Sequence, residues 1–217
     1  MNKAIFVTGT GTDVGKTYIC GLLVKKLKEQ GVNVGYYKPV LSGADSIYSS
    51  DIGYVKSFSQ ISQNINSMGS YIFTNPVSPH LASKMENKTI DKNKILYDFN
   101  NIKNKFEYTI VEGSGGIVCP IIYNNSEKLF LENIINMLGL DVIIVADAGL
   151  GTINFTLLTI EYIKSKNINI KGIIFNNYKD IIMHNDNINL IYNTTSVPII
   201  AKVGHNDKNI NILSDFR

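Results

Sequence analysis

Ile5-Phe6-Val7-Thr8-Gly9-Thr10-Gly11-Thr12-Asp13-Val14-Gly15-Lys16-Thr17 carries an apolar, β-branched run straight into a glycine-rich turn that ends in Gly-Lys-Thr. Strand, flexible turn and helix in that order build a phosphate cradle. Backbone N–H groups converge at the positive end of the helix, the lysine brings a mobile cation to the outer phosphates, and the threonine hydroxyl can hold magnesium. The stretch predicts binding of a nucleoside triphosphate through Lys16 and Thr17. The usual first glycine of GxxxxGK[ST] falls on Thr10, between Gly9 and Gly11, so the loop is a variant. A chance Gly-Lys-Thr in a surface turn is the bland alternative; the flanking strand and helix and the two additional glycines weigh against it.

Outward from this loop, further short apolar runs recur at 32–38, 108–112, 142–146, 172–176 and 198–203. Most are continuously apolar rather than alternating, as in strands covered on both faces. Helical periodicity lies between them at 17–30, 51–59, 91–106, 127–138, 153–166 and 186–192, and Gly31 is placed to end the first helix. Alternating strands and helices predict an α/β fold: three layers, a mostly parallel central sheet with helices on both faces, of the P-loop NTPase type. The Asn75-Pro76-Val77-Ser78-Pro79-His80 segment reads as an irregular loop, because two prolines remove donors and restrict their predecessors.

The 217 residues suit one domain spanning 1–217, long enough to bury roughly 70% of its unfolded surface. Twenty-one basic and eighteen acidic residues give a net charge of +3 with the lysines scattered, which excludes an electrostatic footprint for nucleic acid. The apolar run after Met1-Asn2-Lys3 is too short for a signal-peptide core or a membrane span, so a cytosolic protein with no membrane partner is expected. Cys20 and Cys119 lack CxxC spacing and are read as free thiols, Cys20 as core filler on the first helix. His80 and His184 read as solvated loop residues.

In an open parallel sheet the ligand lies beyond the carboxyl ends of the strands. There the sequence places Lys38, which either faces the phosphates or is a solvated lysine before a turn. Glu112 emerges there too, into Gly113-Ser114-Gly115-Gly116; a carboxylate leaving the core needs a cation, and magnesium is the natural one. Asp51 is a second magnesium candidate or an ordinary N-cap, and Asp45 competes with it. Asp147 precedes Ala148-Gly149-Leu150-Gly151-Thr152-Ile153-Asn154, a turn that opens a helix and either binds a second anion or is a plain βα connection.

Together, GTGTDVGKT at 9–17, YKPVLSG at 37–43, NPVSPHLAS at 75–83, VEGSGG at 111–116 and GLGTIN at 149–154 resemble the dethiobiotin synthetase family in order and spacing, over nearly the whole chain. The resemblance implies an ATP- and Mg²⁺-dependent ligase that forms C–N bonds, joining 7,8-diaminononanoate to CO₂ and closing the ring to dethiobiotin, with ADP and phosphate released. It implies Lys38 and Lys16 as catalytic cations and Thr17, Asp51 and Glu112 as metal ligands. Nucleotide contacts would come from Asp13, Val14, Gly15, Lys16, Thr17, Tyr18, Asp51, Glu112, Gly113, Ser114 and Gly115, with Asn176 reading the adenine edge. Thr12, Lys38, Ser42 and Gly116 would touch substrate. The family is homodimeric, and Gly151 and Asn154 of one subunit would receive the substrate carboxylate bound mainly by the other. The stretch Val203-Gly204-His205-Asn206 departs from the family pattern near the base.

Two rivals share the fold. A partitioning or regulatory ATPase that switches dimerisation usually carries an additional lysine five residues ahead of the loop lysine, where this chain has Gly11. An amidotransferase of the cobyrinate type would need a glutaminase domain with a nucleophilic cysteine, which these 217 residues do not supply.

Overall fold

The computed structural model describes residues 3–217. β1 (Lys3–Gly9) leads through the glycine turn into α1 (Lys16–Glu29), followed by β2 (Val34–Ser42) and α2 (Asp51–Ser59). A single 3₁₀ turn (Ile65–Ser67) precedes β3 (Gly69–Phe73), α3 (Pro79–Met85), α4 (Lys92–Lys103) and β4 (Tyr108–Glu112). A hairpin of β5 (Pro120–Tyr123) and β6 (Lys128–Phe130) then leads to α5 (Leu131–Leu138) and β7 (Val142–Asp147). α6 (Thr152–Ser165), β8 (Ile170–Asn176), α7 (Ile182–Thr195) and β9 (Ile199–Lys202) complete the order.

Seven strands form one sheet in the order β3-β2-β4-β1-β7-β8-β9, every neighbouring pair parallel. Strand alternation divides the apolar residues between two faces. Phe6, Ile144 and Phe175 pack on one side with Phe99, Ile135, Ile160 and Ile188 of α4 to α7. Ile5, Val7, Ile143 and Val145 pack on the other with Ile19, Leu23, Ile52 and Val55 of α1 and α2. These two cores make the three layers expected from the continuous apolar runs. Gly31 ends α1 as expected, at φ +79° with its N–H on the Lys28 carbonyl at 2.9 Å.

The sequence reading is corrected at several boundaries. β2 does not stop at Lys38 but runs through Pro39 to Ser42, because the strand changes partners. It pairs with β4 over Val34–Tyr37 and with β3 from Lys38 onward. The Lys38 N–H points to the β3 side, toward the Met68 carbonyl at 2.8 Å, so the donor Pro39 lacks falls on the side β4 has already left. β3, the hairpin and α3 were not anticipated. Pro79 begins α3 rather than continuing a loop, since the first helical position needs no N–H. The helix placed at 127–138 begins only at Leu131, after β6, whereas α7 extends well beyond 186–192. His184 is buried in α7 and accepts the Lys179 N–H at 3.0 Å, so it is not a solvated loop residue.

Candidate active site

The strands' carboxyl ends open onto a cleft of about 1060 Å³. Its floor is the loop after β1. Asp13 and Gly15 hold positive φ of 59° and 91°, which curls the loop around the start of α1. Gly15 is the N-cap and no side chain caps the helix, leaving the first-turn N–H groups available to an anion. Lys16 is buried, with Nζ on the Gly11 carbonyl at 2.8 Å. Burial pulls its ammonium below the usual lysine value, opposed by Glu112 and reinforced by Lys38.

Beside the loop, Glu112 ends β4 with 0% exposure. Its Oε1 accepts from Thr17 Oγ1 at 2.7 Å and from Lys38 Nζ at 2.5 Å. Lys38 Nζ also donates to Asp51 Oδ2 at 2.5 Å. Burial acts to lower the Lys38 ammonium, but Glu112 and Asp51 outweigh it and hold the group above the usual lysine value. Asp51 is not the N-cap of α2. Ser50 takes that role, its Oγ accepting from the Gly53 N–H, which frees Asp51 in the first turn to face Lys38. Asp45 is exposed and does not line the cleft.

At the other end, Asn176 Nδ2 donates to the Val14 carbonyl at 3.0 Å, while its buried Oδ1 has no partner within the protein. Ser42 Oγ is likewise buried, unpartnered and at the cleft wall. Ser114 lines the cleft but spends its hydroxyl on the Val40 carbonyl at 2.5 Å. Thr12, Asp13, Tyr18 and Gly115 also face the cleft.

Five residues given a nucleotide or substrate contact in the sequence reading stand outside it. Val14 contributes its carbonyl to Asn176 and packs inward on the α1 side. Gly113 is wedged between Phe6 and Leu131 and gives its N–H to the Val7 carbonyl at 3.0 Å. Gly116 lies against Gly11 of the phosphate loop. Gly151 and Asn154 are exposed at the start of α6, away from this chain's own cleft. Asp147 closes the turn that follows it: Oδ1 takes the Gly149 N–H at 2.7 Å and Oδ2 the Asn177 amide at 2.6 Å.

Sequence reasoning gave no site role to Asn177, Tyr54 or the wall formed by Pro76, Val77, Ser78 and Pro79. The wall carried a signal, since its prolines mark a rigid turn next to a strand end. His205 and Asn206 line the Asn176 end of the cleft, where Tyr18 Oη anchors the loop on the Asp207 carbonyl at 2.6 Å.

Comparison with known proteins places this geometry. A family model described as an AAA domain matches residues 3–211. The ATP-dependent dethiobiotin synthetase BioD of Brachyspira hyodysenteriae is 48% identical over 204 residues, covering 94% of this chain and 92% of that protein. The protein of the same description from Clostridium botulinum strain 657 is 49% identical over 217 residues, covering 98% of this chain and 95% of its own length. Among solved structures, the MinC:MinD cell division complex of Aquifex aeolicus is similar in fold at TM-score 0.58 and 15% identity, over 95% of this chain and 82% of that one. FtsY of Thermotoga maritima gives 0.56 at 16% identity, over 99% of this chain and 66% of that one. With near-half identity along almost the whole length, and a phosphate loop facing a buried lysine and two carboxylates, the chain belongs to the ATP-dependent dethiobiotin synthetase family.

Proposed function

We propose that the protein carboxylates 7,8-diaminononanoate with CO₂ and closes the ureido ring at the expense of ATP, yielding dethiobiotin, ADP and phosphate. The observation that carries this reading is the convergence of Lys16, Thr17, Lys38, Asp51 and Glu112 in one cleft. One substrate amine captures CO₂ as a carbamate, a carbamate oxygen takes the γ-phosphoryl group, and the second amine closes the ring as phosphate departs. Each stage gathers negative charge on oxygen. Lys16 and the free N–H groups of α1 hold the phosphates, and Lys38 supplies a second fixed cation at the reacting end, so positioning and electrostatics carry the transfer.

Thr17, Asp51 and Glu112 would hold magnesium. They are hard oxygen donors, and the two carboxylates are already spaced about a cation, the Lys38 ammonium. When bound, the ion neutralises charge on the phosphate oxygens. The unpartnered Ser42 Oγ, with Thr12, suits the substrate amines or carbamate, and the unpartnered Asn176 Oδ1 suits the exocyclic amine of adenine.

The working unit in this reading is a homodimer of single-domain chains. Leu150, Phe155 and Leu158 stand 92%, 57% and 63% exposed beside Gly151 and Asn154, which supports a second copy covering that face and bringing this turn to the partner's substrate. No helix among the described residues is long and apolar enough to cross a membrane. Two unpaired, buried cysteines support placement in the reducing cytosol.

The test is phosphate release from ATP and Mg²⁺ with and without 7,8-diaminononanoate and bicarbonate, with mass detection of product. Release that requires both and yields dethiobiotin supports the assignment. Release indifferent to the diamine returns the chain to the switch ATPases.

A further inference from the structure

Glu112 has two oxygens with different surroundings. Oε1 meets Thr17 and Lys38, the groups of the reacting end. Oε2 accepts from the phenol of Tyr36 at 2.7 Å, and the buried Cys20 thiol is a further neighbour of the carboxylate. Tyr36 is fully buried and lies two residues before Lys38 on β2, so strand alternation puts both side chains on the face that Glu112 occupies. Tyr37, between them, points to the opposite core, where its hydroxyl meets Ser70 at 2.5 Å and the Ile95 carbonyl at 3.2 Å.

The backbone of Tyr36 is itself held. β3 pairs with β2 only from Lys38 onward, so the edge at Tyr36 has no strand beside it on that side. The buried side chain of Gln63 fills the place: Oε1 accepts the Tyr36 N–H at 2.8 Å and Nε2 donates to the Tyr36 carbonyl at 3.0 Å. An amide thus pins a tyrosine, and the tyrosine pins a carboxylate.

We propose that Tyr36 is a positioning residue for Glu112, its hydroxyl committing Oε2 so that Oε1 alone is presented to the divalent cation and to Lys38. Outer partners of a metal-binding carboxylate fix its orientation, and their removal typically weakens metal binding about 10–100-fold. Without the phenol, Oε2 loses its 2.7 Å donor, and the carboxylate is oriented only by Thr17 and Lys38 on Oε1 and by the neighbouring Cys20 thiol. This inference rests on the reading of Thr17, Asp51 and Glu112 as metal ligands.

The test measures Mn²⁺ binding to the full chain in the presence of ADP, by electron paramagnetic resonance, for wild type, Tyr36→Phe, Tyr37→Phe and Glu112→Gln. Tyr37→Phe removes an equally buried hydroxyl that does not touch Glu112, and so reports any general effect of the deletion. We expect Tyr36→Phe to raise the Mn²⁺ Kd at least about tenfold and Tyr37→Phe to leave it within about twofold, with a matching rise in the Mg²⁺ KM of turnover for Tyr36→Phe alone. Equal effects from the two tyrosine variants, or none from Tyr36→Phe, overturn the proposal. If Glu112→Gln leaves Mn²⁺ binding unchanged, the metal reading itself fails, and this inference with it. Tyr36→Met removes the same hydroxyl through a flexible side chain and replaces the phenylalanine variant if that one does not fold.

Discussion

Lys38 Nζ and Glu112 Oε1 lie 2.5 Å apart, at the position where β2 and β4 would form their next rung. The two strands pair as far as Tyr37 and Val111, and the ion pair takes over where the backbone ladder ends. β2 then turns to β3, which opens the cleft between the separating strands and leaves a cation and a carboxylate at its apex.

Removing the lysine leaves a fully buried carboxylate without its counter-charge. Lys38→Met is expected to abolish dethiobiotin formation while ADP binding persists, and to cost about 3–5 kcal/mol of unfolding free energy. Urea unfolding and calorimetric ADP binding on the same sample check both parts. Normal turnover would remove Lys38 from the mechanism.

The phosphate loop meets Asn176 at Gly15. A Cβ there would lie 2.1 Å from Asn176 Nδ2, on a backbone already at φ +91°. Gly15→Ala is expected to weaken ADP binding at least about tenfold, since left-handed strain alone costs about 1–2 kcal/mol and the amide must also move. Isothermal titration decides it.

The free Oδ1 of Asn176 accepts from an amine and repels a carbonyl. ATP is therefore expected to outperform ITP in kcat/KM, and Asn176→Ala to narrow that ratio about tenfold, as the loss of one hydrogen bond of about 1.5 kcal/mol predicts. A ratio unchanged by the substitution would assign the base contact elsewhere.

Leu158→Glu places a charge on the exposed apolar face of α6 without touching the core. On the proposed homodimer, the expected result is a monomer in sedimentation, folded by circular dichroism, with turnover lost because Gly151 and Asn154 would no longer reach a partner. A dimeric, active variant would overturn the proposed subunit contact on this face.

Alkaline stability follows from the phenols. Burial, with Asp207 adding to it, pushes Tyr18 up to about 12; burial and Glu132 do the same for Tyr162, also to about 12. Both donate hydrogen bonds that require the proton, to the Asp207 carbonyl and to Glu132 Oε1. An unfolded phenol titrates near 10, so above that pH the unfolded chain holds fewer protons than the folded one and stability falls with rising pH. Stability is expected to be level with respect to these groups below about pH 10 and to decline toward 12. Phenolate absorbance in native and urea-unfolded protein, followed alongside unfolding midpoints, checks it.

Taken by itself, the sequence determined the phosphate loop, the alternation of strand and helix, and the parallel three-layer sheet. Those signals are local: a glycine turn between strand and helix, continuous apolar runs, and an αL glycine after α1 can be read within a dozen neighbouring residues. β3 and the β5–β6 hairpin escaped because they are short and only partly buried, whereas β4, as short as β3, is buried throughout and apolar for most of its length. Only the tertiary structure decided that Lys38 would meet Glu112, 74 residues away, that Asp51 would join them while Ser50 capped the helix, and that Tyr36 and Gln63 would stand behind the carboxylate. Such meetings depend on strand order, on register, and on the rung at which β2 leaves β4 for β3, and no local pattern of residues encodes those.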